Sequence, residues 1–266
     1  MGQQLLDIAF NARPHSIIEC SMPPANKKAQ PSPVMTLPSL KDSVRAAQKE
    51  VDMAVVFHEA WKPAAYDLEL HKRLISSYAA HTFNAVRLAL RREMLMALMR
   101  IWDYTDESIR IGSVIDGIQR NEIVDALLEE RLTGLSKQSN MCVRDFETQM
   151  RHDIQSSANE AIFLFKQYIP EQPKRPVLDN LRQLRHEHLA HHQVNPTNPN
   201  GPAVSDLQIE TFYQDTATLI SKLLHVVLGV AHDFSEAAES LSMPSGLFWA
   251  SVRGERTEGH PEYRLL

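Results

Sequence analysis

An all-α helical bundle is the fold class this sequence predicts. Apolar residues recur at three-to-four spacing from Ser39 to Leu241, the period of a helix with one buried face. No segment alternates apolar and polar residues between glycine-rich turns, as a strand and hairpin pattern would. Only nine glycines occur among 266 residues, few for a fold with many tight turns. The expected architecture is two long hairpin-like helices, small crossing helices, a short His-rich helix and a long closing helix.

Residues 1–38 are rich in Pro, Ser, Asn and Gln, with Pro23, Pro24, Pro31, Pro33 and Pro38 crowded together. They are expected to form an irregular arm, within which Leu5, Leu6, Ile8 and Phe10 form a short docking segment. The helical domain is expected over 39–241 and an irregular tail over 242–266. Thr36 or Ser39 caps the first helix, and Pro38 suits its first turn. Leu40, Val44, Ala47, Val51, Ala54 and Val55 form its buried face, and Pro63 is expected to end it. A second helix is expected from about Asp67 to Trp102. Its apolar positions, read as the inward stripe, include Leu70, Leu74, Ile75, Tyr78, Phe83, Val86, Leu90, Met94, Leu95, Leu98 and Ile101.

Two brief helices follow over 108–117 and 122–132, with Gly134 closing the latter. Residues 139–168 read as another long helix with Val143, Phe146, Met150, Ile154, Ala158, Ala161, Ile162 and Phe165 buried. Pro170, Pro173 and Pro176 make a rigid connector to the His-rich helix. Pro196, Pro199 and Gly201 end that helix. The closing helix is expected over 205–241, with Leu207, Ile209, Phe212, Leu219, Leu223, Val226, Val227 and Val230 toward the core.

The formal net charge of −5 provides no global basic field for a nucleic acid, so RNA would have to meet a local basic patch. Two distant cysteines, Cys20 and Cys142, suggest free thiols in a reducing compartment. Neither a leader nor a membrane span is expected, and the cytoplasm is the expected location.

Residues 178–192 hold the densest chemistry. Four of the chain's 12 histidines lie within 186–192, beside Arg182, Arg185 and Glu187. At about 100° per residue, Leu178, Leu181, Leu184 and Leu189 form an apolar face that also contains Arg185, His188 and His192. Glu187 and His191 fall at its edge, and Asp179, Arg182, Gln183 and His186 point outward. An Arg and two His on a buried face need carboxylate partners or an open cleft. The competing structural reading is a set of satisfied core or interface polar groups.

No metal is expected. His188 and His192 are four apart, as are Glu187 and His191, yet 186–191 misses His-Glu-x-x-His spacing by one residue, and Arg185 would repel a cation. No other cofactor is implied. RNA cleavage needs no metal, because the 2′-OH is its own nucleophile. A histidine moves the protons, and an arginine stabilises the charged transition state. Arg185 and His191 are six residues apart, about 9 Å along an α-helix and roughly 120° around it. A second copy of the helix across a two-fold axis would bring the two side-chain types together.

The segment 181–192, Leu-Arg-Gln-Leu-Arg-His-Glu-His-Leu-Ala-His-His, resembles the HEPN superfamily signature. In it an Arg and a polar residue precede a His after four to six intervening residues. Leu189-Ala190-His191 is most similar to the AbiU2-type abortive-infection branch. Arg100-Ile101-Trp102-Asp103 is similar to another motif of that branch; read from its residues alone, it is a structural Arg–Asp pair beside a core Trp. The resemblance implies a HEPN-like helical bundle that dimerises through the His-rich helix and cleaves RNA to a 2′,3′-cyclic phosphate. It implies a toxin or antiphage effector under an antitoxin or regulatory partner. Arg185 would hold the phosphate and His191 would act on the 2′-OH or leaving oxygen. By the same resemblance His186 and Glu187 would support the site; from their place on the helix, His188 and His192 are further supporting candidates and Arg182 a candidate RNA contact. If the local face decides instead, His188 replaces His191. The alternative function is a non-catalytic dimerisation or interaction module.

Overall fold

A computed structural model describes residues 35–74, 77–103, 109–138, 144–189 and 204–252. Among these residues there are nine α-helices, two π-helical turns and no strand. Both cysteines and the 1–34 part of the arm lie outside the described residues.

Helix α1 (Leu37–Tyr66) is the central element. The Thr36 hydroxyl accepts the Ser39 amide, and Pro38 lies in the first turn, where a missing N–H costs nothing. The helix runs past Pro63, contrary to expectation. Pro63 sits in the last turn, where its carbonyl still accepts the Asp67 amide at 2.9 Å. Asp67 then starts α2 (Leu68–Leu74), its carboxylate taking the amides of Glu69 and Leu70.

The single long helix expected over 67–102 is two helices, α2 and α3 (Ala80–Ile101). Between them the Ser77 hydroxyl captures the Ala79 amide, a local bond that competes with the helical one. The break resets the phase of the apolar stripe. Tyr78 and Val86, both expected in the core, are therefore exposed.

Helices α4 (Ile111–Ile118) and α5 (Asn121–Gln138) cross the bundle, and α5 continues through Gly134. Helix α6 (Arg144–Lys166) buries Ile154, Ala158 and Ala161, but Phe146 faces outward; Val143 lies outside the described residues. Helix α7 (Arg175–Leu184) takes Pro176 into its first turn. A π-helical turn, Arg185–Leu189, extends it.

The expected closing helix is divided. Helix α8 (Asp206–Leu223) opens with a reciprocal capping box between Ser205 and Gln208, which leaves Leu207 on the exposed side. A second π-helical turn, Leu224–Leu228, ends at Gly229, whose φ of +68° only glycine adopts cheaply. The Arg131 guanidinium donates to the carbonyls of His225 and Val226 at this end, a cation on the negative pole of the helix. Val230 lies beyond the stop and is exposed. Helix α9 (Phe234–Ser251) begins at Asp233, which accepts the Ser235 amide. Residues 242–251 are thus helical rather than part of an irregular tail.

The core forms where α1 meets α3, α8 and α9 and where α6 meets α8. Leu40, Val44, Val51 and Val55 of α1 lie fully buried with Met94, Leu98 and Ile101 of α3 and Phe212, Leu219 and Leu223 of α8. Each such side chain contributes roughly 1.5–3 kcal/mol on leaving water. A smaller core of Leu70, Leu74, Phe83 and Trp249 fastens α9 to α2 and α3. The Trp249 indole donates to the Ala60 carbonyl at 2.7 Å.

Candidate functional site

The C-terminal end of α3 and the segment 182–189 build the candidate site. Its anchor is Trp102, 2% exposed. The indole stacks nearly parallel on Phe165 and lies against Tyr168 and Phe212. Its N–H donates to the Thr216 hydroxyl at 3.1 Å, which in turn donates to the Phe212 carbonyl. A buried indole needs such an acceptor. The side chain therefore locks the last turn of α3 to α6 and α8.

With Trp102 fixed, its backbone and its neighbour face α7. The Trp102 carbonyl accepts from Arg182 Nη2 at 2.9 Å, and the Asp103 carboxylate pairs with Arg185 Nη1 at 2.7 Å. The Arg185 side chain is 28% exposed and that of Asp103 20%. This is a half-buried, charge-assisted contact between two segments 82 positions apart. Arg92 of α3 donates to the Leu189 carbonyl at 2.6 Å, capping the π-helical turn. A guanidinium has five donors in a rigid fork. One edge can hold Asp103 while another meets a phosphate oxygen.

Helical-wheel positions at 100° per residue do not carry past Leu184, because the turn 185–189 closes on the fifth residue instead of the fourth. Arg182 is not directed outward as expected. It is half-buried, reaching both Trp102 and, at 3.6 Å, Asp179. His186 is exposed. Glu187 and His188 belong to the π-helical turn. Their side chains, and His191 and His192 entirely, lie outside the described residues.

The expected pair within Arg100-Ile101-Trp102-Asp103 does not form. Arg100 is bound to Glu50 of α1 at 2.8 Å, and Asp103 to Arg185. The core placement of Trp102 is as expected. Asp103 and Arg92 are the site residues that residue-type reasoning on 178–192 missed. The motif ending in Asp103 was the available signal; Arg92 had none, because one arginine on an amphipathic helix looks like solvated surface.

A second polar cluster had no sequence signal. His58 of α1 is 1% exposed, with Nδ1 2.8 Å from Glu59 and Nε2 2.8 Å from Glu210 of α8. Its ring stacks on Tyr213 at 4.2 Å. Burial favours the neutral imidazole, but the bonds to Glu210 and Glu59 outweigh it and raise the His58 pKa above its ordinary value. The bond from His58 holds the Glu210 carboxyl below its ordinary value.

Stability should therefore depend on pH. The unfolded His58 titrates at its ordinary value, about 6.5. Its stabilising charge is thus fully present below that pH and is lost as pH rises through the higher folded value. The difference in Tm between wild type and His58→Gln is expected to shrink from roughly pH 6.5 upward. A difference that is flat or grows with pH would show that the folded ring is neutral.

An all-α bundle of this kind, with its arginine signature on the segment after α6, is a HEPN-type domain. The family model described as AbiU2 matches residues 37–243, and the chain belongs to that family. No curated protein and no solved structure matches the chain. Among the described residues, no group of three or more His, Cys, Asp or Glu is arranged to hold a metal ion, and no helix is long and apolar enough to cross a membrane.

Proposed function

We propose that this protein is a metal-independent endoribonuclease acting as a toxin or antiphage effector. The observation that carries the reading is the ion pair of Arg185 with Asp103. It orients a phosphate-binding guanidinium on the signature segment of a HEPN-type chain. In this scheme Arg185 holds the scissile phosphate and stabilises the charge that develops on its oxygens. His191 takes the 2′-OH proton or protonates the leaving 5′-oxygen. The 2′-oxygen attacks phosphorus as the 5′-oxygen departs, leaving a 2′,3′-cyclic phosphate. Arg182 and Arg92 supply the local positive charge that the acidic chain lacks overall. Two copies meeting through the His-rich helix complete the site, and an antitoxin or regulatory partner restrains it in the cytoplasm.

The test is incubation of purified full-length protein with RNA in excess chelator, with end-group analysis of the fragments. Cutting that persists, yields cyclic phosphate ends and vanishes in His191→Ala is the expected result. Full activity in His191→Ala removes that histidine from the mechanism and turns attention to His188.

A second reading is a non-catalytic interaction module. The engagement of Arg182 by the Trp102 carbonyl and of Arg92 by the Leu189 carbonyl favours it, since both cations already serve the protein's own packing. It predicts that wild type cuts no RNA while Arg185→Ala weakens self-association.

A further inference from the structure

A cavity of about 870 Å³ lies between α8 and α9, with α1 contributing His58, Glu59 and Lys62. Its size falls within the range of small-ligand sites. Neither α7 nor the π-helical turn 185–189 lines it. The cavity is therefore separate from the proposed ribonuclease site.

Two observations point to a ligand. The first is Tyr213, which lines the cavity. It is 3% exposed, stacked on His58, and its hydroxyl has no hydrogen-bond partner among the described residues. That hydroxyl is not sealed from solvent, so it opens on the cavity. The second is charge. Glu236 and Glu239, three apart on α9, are exposed residues at the edge of the cavity and form no ion pair among the described residues. Asp233 joins them at the start of that helix. Glu59 and Glu210 flank His58, two carboxylates on one imidazole beside the cavity.

The cations of the lining do not balance these carboxylates. Lys222 is paired with Glu160 at 2.6 Å. His225 is held toward its neutral form by burial and by the Arg131 charge. Lys62 is exposed and acts on Glu210. His232 sits 3.7 Å from Asp52.

We propose that this cavity binds a small organic cation of the di- or polyamine class. One ammonium group meets Glu236 and Glu239. Another reaches toward Glu59 and donates to the Tyr213 hydroxyl, while the methylene spacer lies along Tyr213 and Phe234. Carboxylates separated by an aromatic wall recognise this charge–spacer–charge pattern.

The experiment is titration of the full-length protein with spermidine by calorimetry. Wild type and three variants are compared: Tyr213→Phe, Glu236→Gln/Glu239→Gln, and Glu69→Gln as control. Glu69 is an exposed residue of α2 paired with Lys72. Saturable one-to-one binding is expected in wild type and in Glu69→Gln. Each of the other variants should weaken it about tenfold, the scale of one charge-assisted hydrogen bond. Tyr213→Phe should keep the wild-type Tm without ligand, since the lost hydroxyl bonds no described residue. Absence of saturable binding overturns the proposal. So does equal weakening in Glu69→Gln, which marks non-specific attraction to an acidic protein, or binding of inorganic phosphate in place of the amine.

Discussion

Arg185→Ala is expected to reduce RNA cleavage by about 10²–10³-fold, the usual cost of removing one preorganised donor from a developing anionic centre. The loss should appear in kcat, because the guanidinium acts most strongly when charge builds on the phosphate. Asp103→Ala should reproduce much of it, roughly 10²-fold, through misplacement of the guanidinium and without touching RNA. In the proposed mechanism Asp103 only positions Arg185, so the two losses should not multiply: the double variant should cut no more slowly than Arg185→Ala alone. Losses that multiply would mean that Asp103 acts separately, and an undiminished Asp103→Ala enzyme would mean that the ion pair is packing only. The pair is half-buried, so its removal should leave the unfolding transition close to that of wild type. That separates lost chemistry from lost fold.

Trp102→Ala has the largest expected effect on stability, about 3–5 kcal/mol. The indole is buried among Phe165, Tyr168 and Phe212 and bonded to Thr216, so truncation opens a cavity and leaves a buried hydroxyl short of a partner. For a chain of this size Tm should fall by roughly 10 °C. Trp102→Phe retains most of the apolar contact and loses the hydrogen bond, so about 1–2 kcal/mol is expected. The consequence extends to the site. The Trp102 carbonyl anchors Arg182, and Asp103 follows it directly. Trp102→Phe should therefore lower cleavage more than its small stability loss explains. Thermal unfolding alongside single-turnover cleavage measures both. A Trp102→Phe protein with full cleavage would show that Asp103 holds its place without the tryptophan.

The amphipathic period identified the helices but not where they break. The 67–102 stretch contains no Gly or Pro, so nothing in its composition announced the division between Leu74 and Ala80. Beside that break a serine hydroxyl takes one amide, a local bond too small to stand out in sequence. Pro63 erred in the opposite direction: a proline in a last turn is tolerated when the carbonyls around it find donors. Leu207, Val230, Tyr78 and Phe146 were expected in the core and are exposed, because each lies beside a boundary where the helical phase is reset.

By itself, the sequence determined the helical class, the buried face of α1, the family signature at 185–191 and the core tryptophan. All of these follow from local periodicity or from residues close together in the chain. Only the tertiary structure decided what those residues touch. It exchanged the expected Arg100–Asp103 pair for Arg100–Glu50 and Asp103–Arg185, and it turned Arg182 inward onto a backbone carbonyl. It also wound 185–189 as a π-helical turn and brought His58 between Glu59 and Glu210, the latter 152 positions away. The physical reason is the same in each case. The partners of an ion pair or of a buried imidazole are chosen by which helices the packed core brings within about 3 Å of each other, and periodicity along one helix carries no information about its partner.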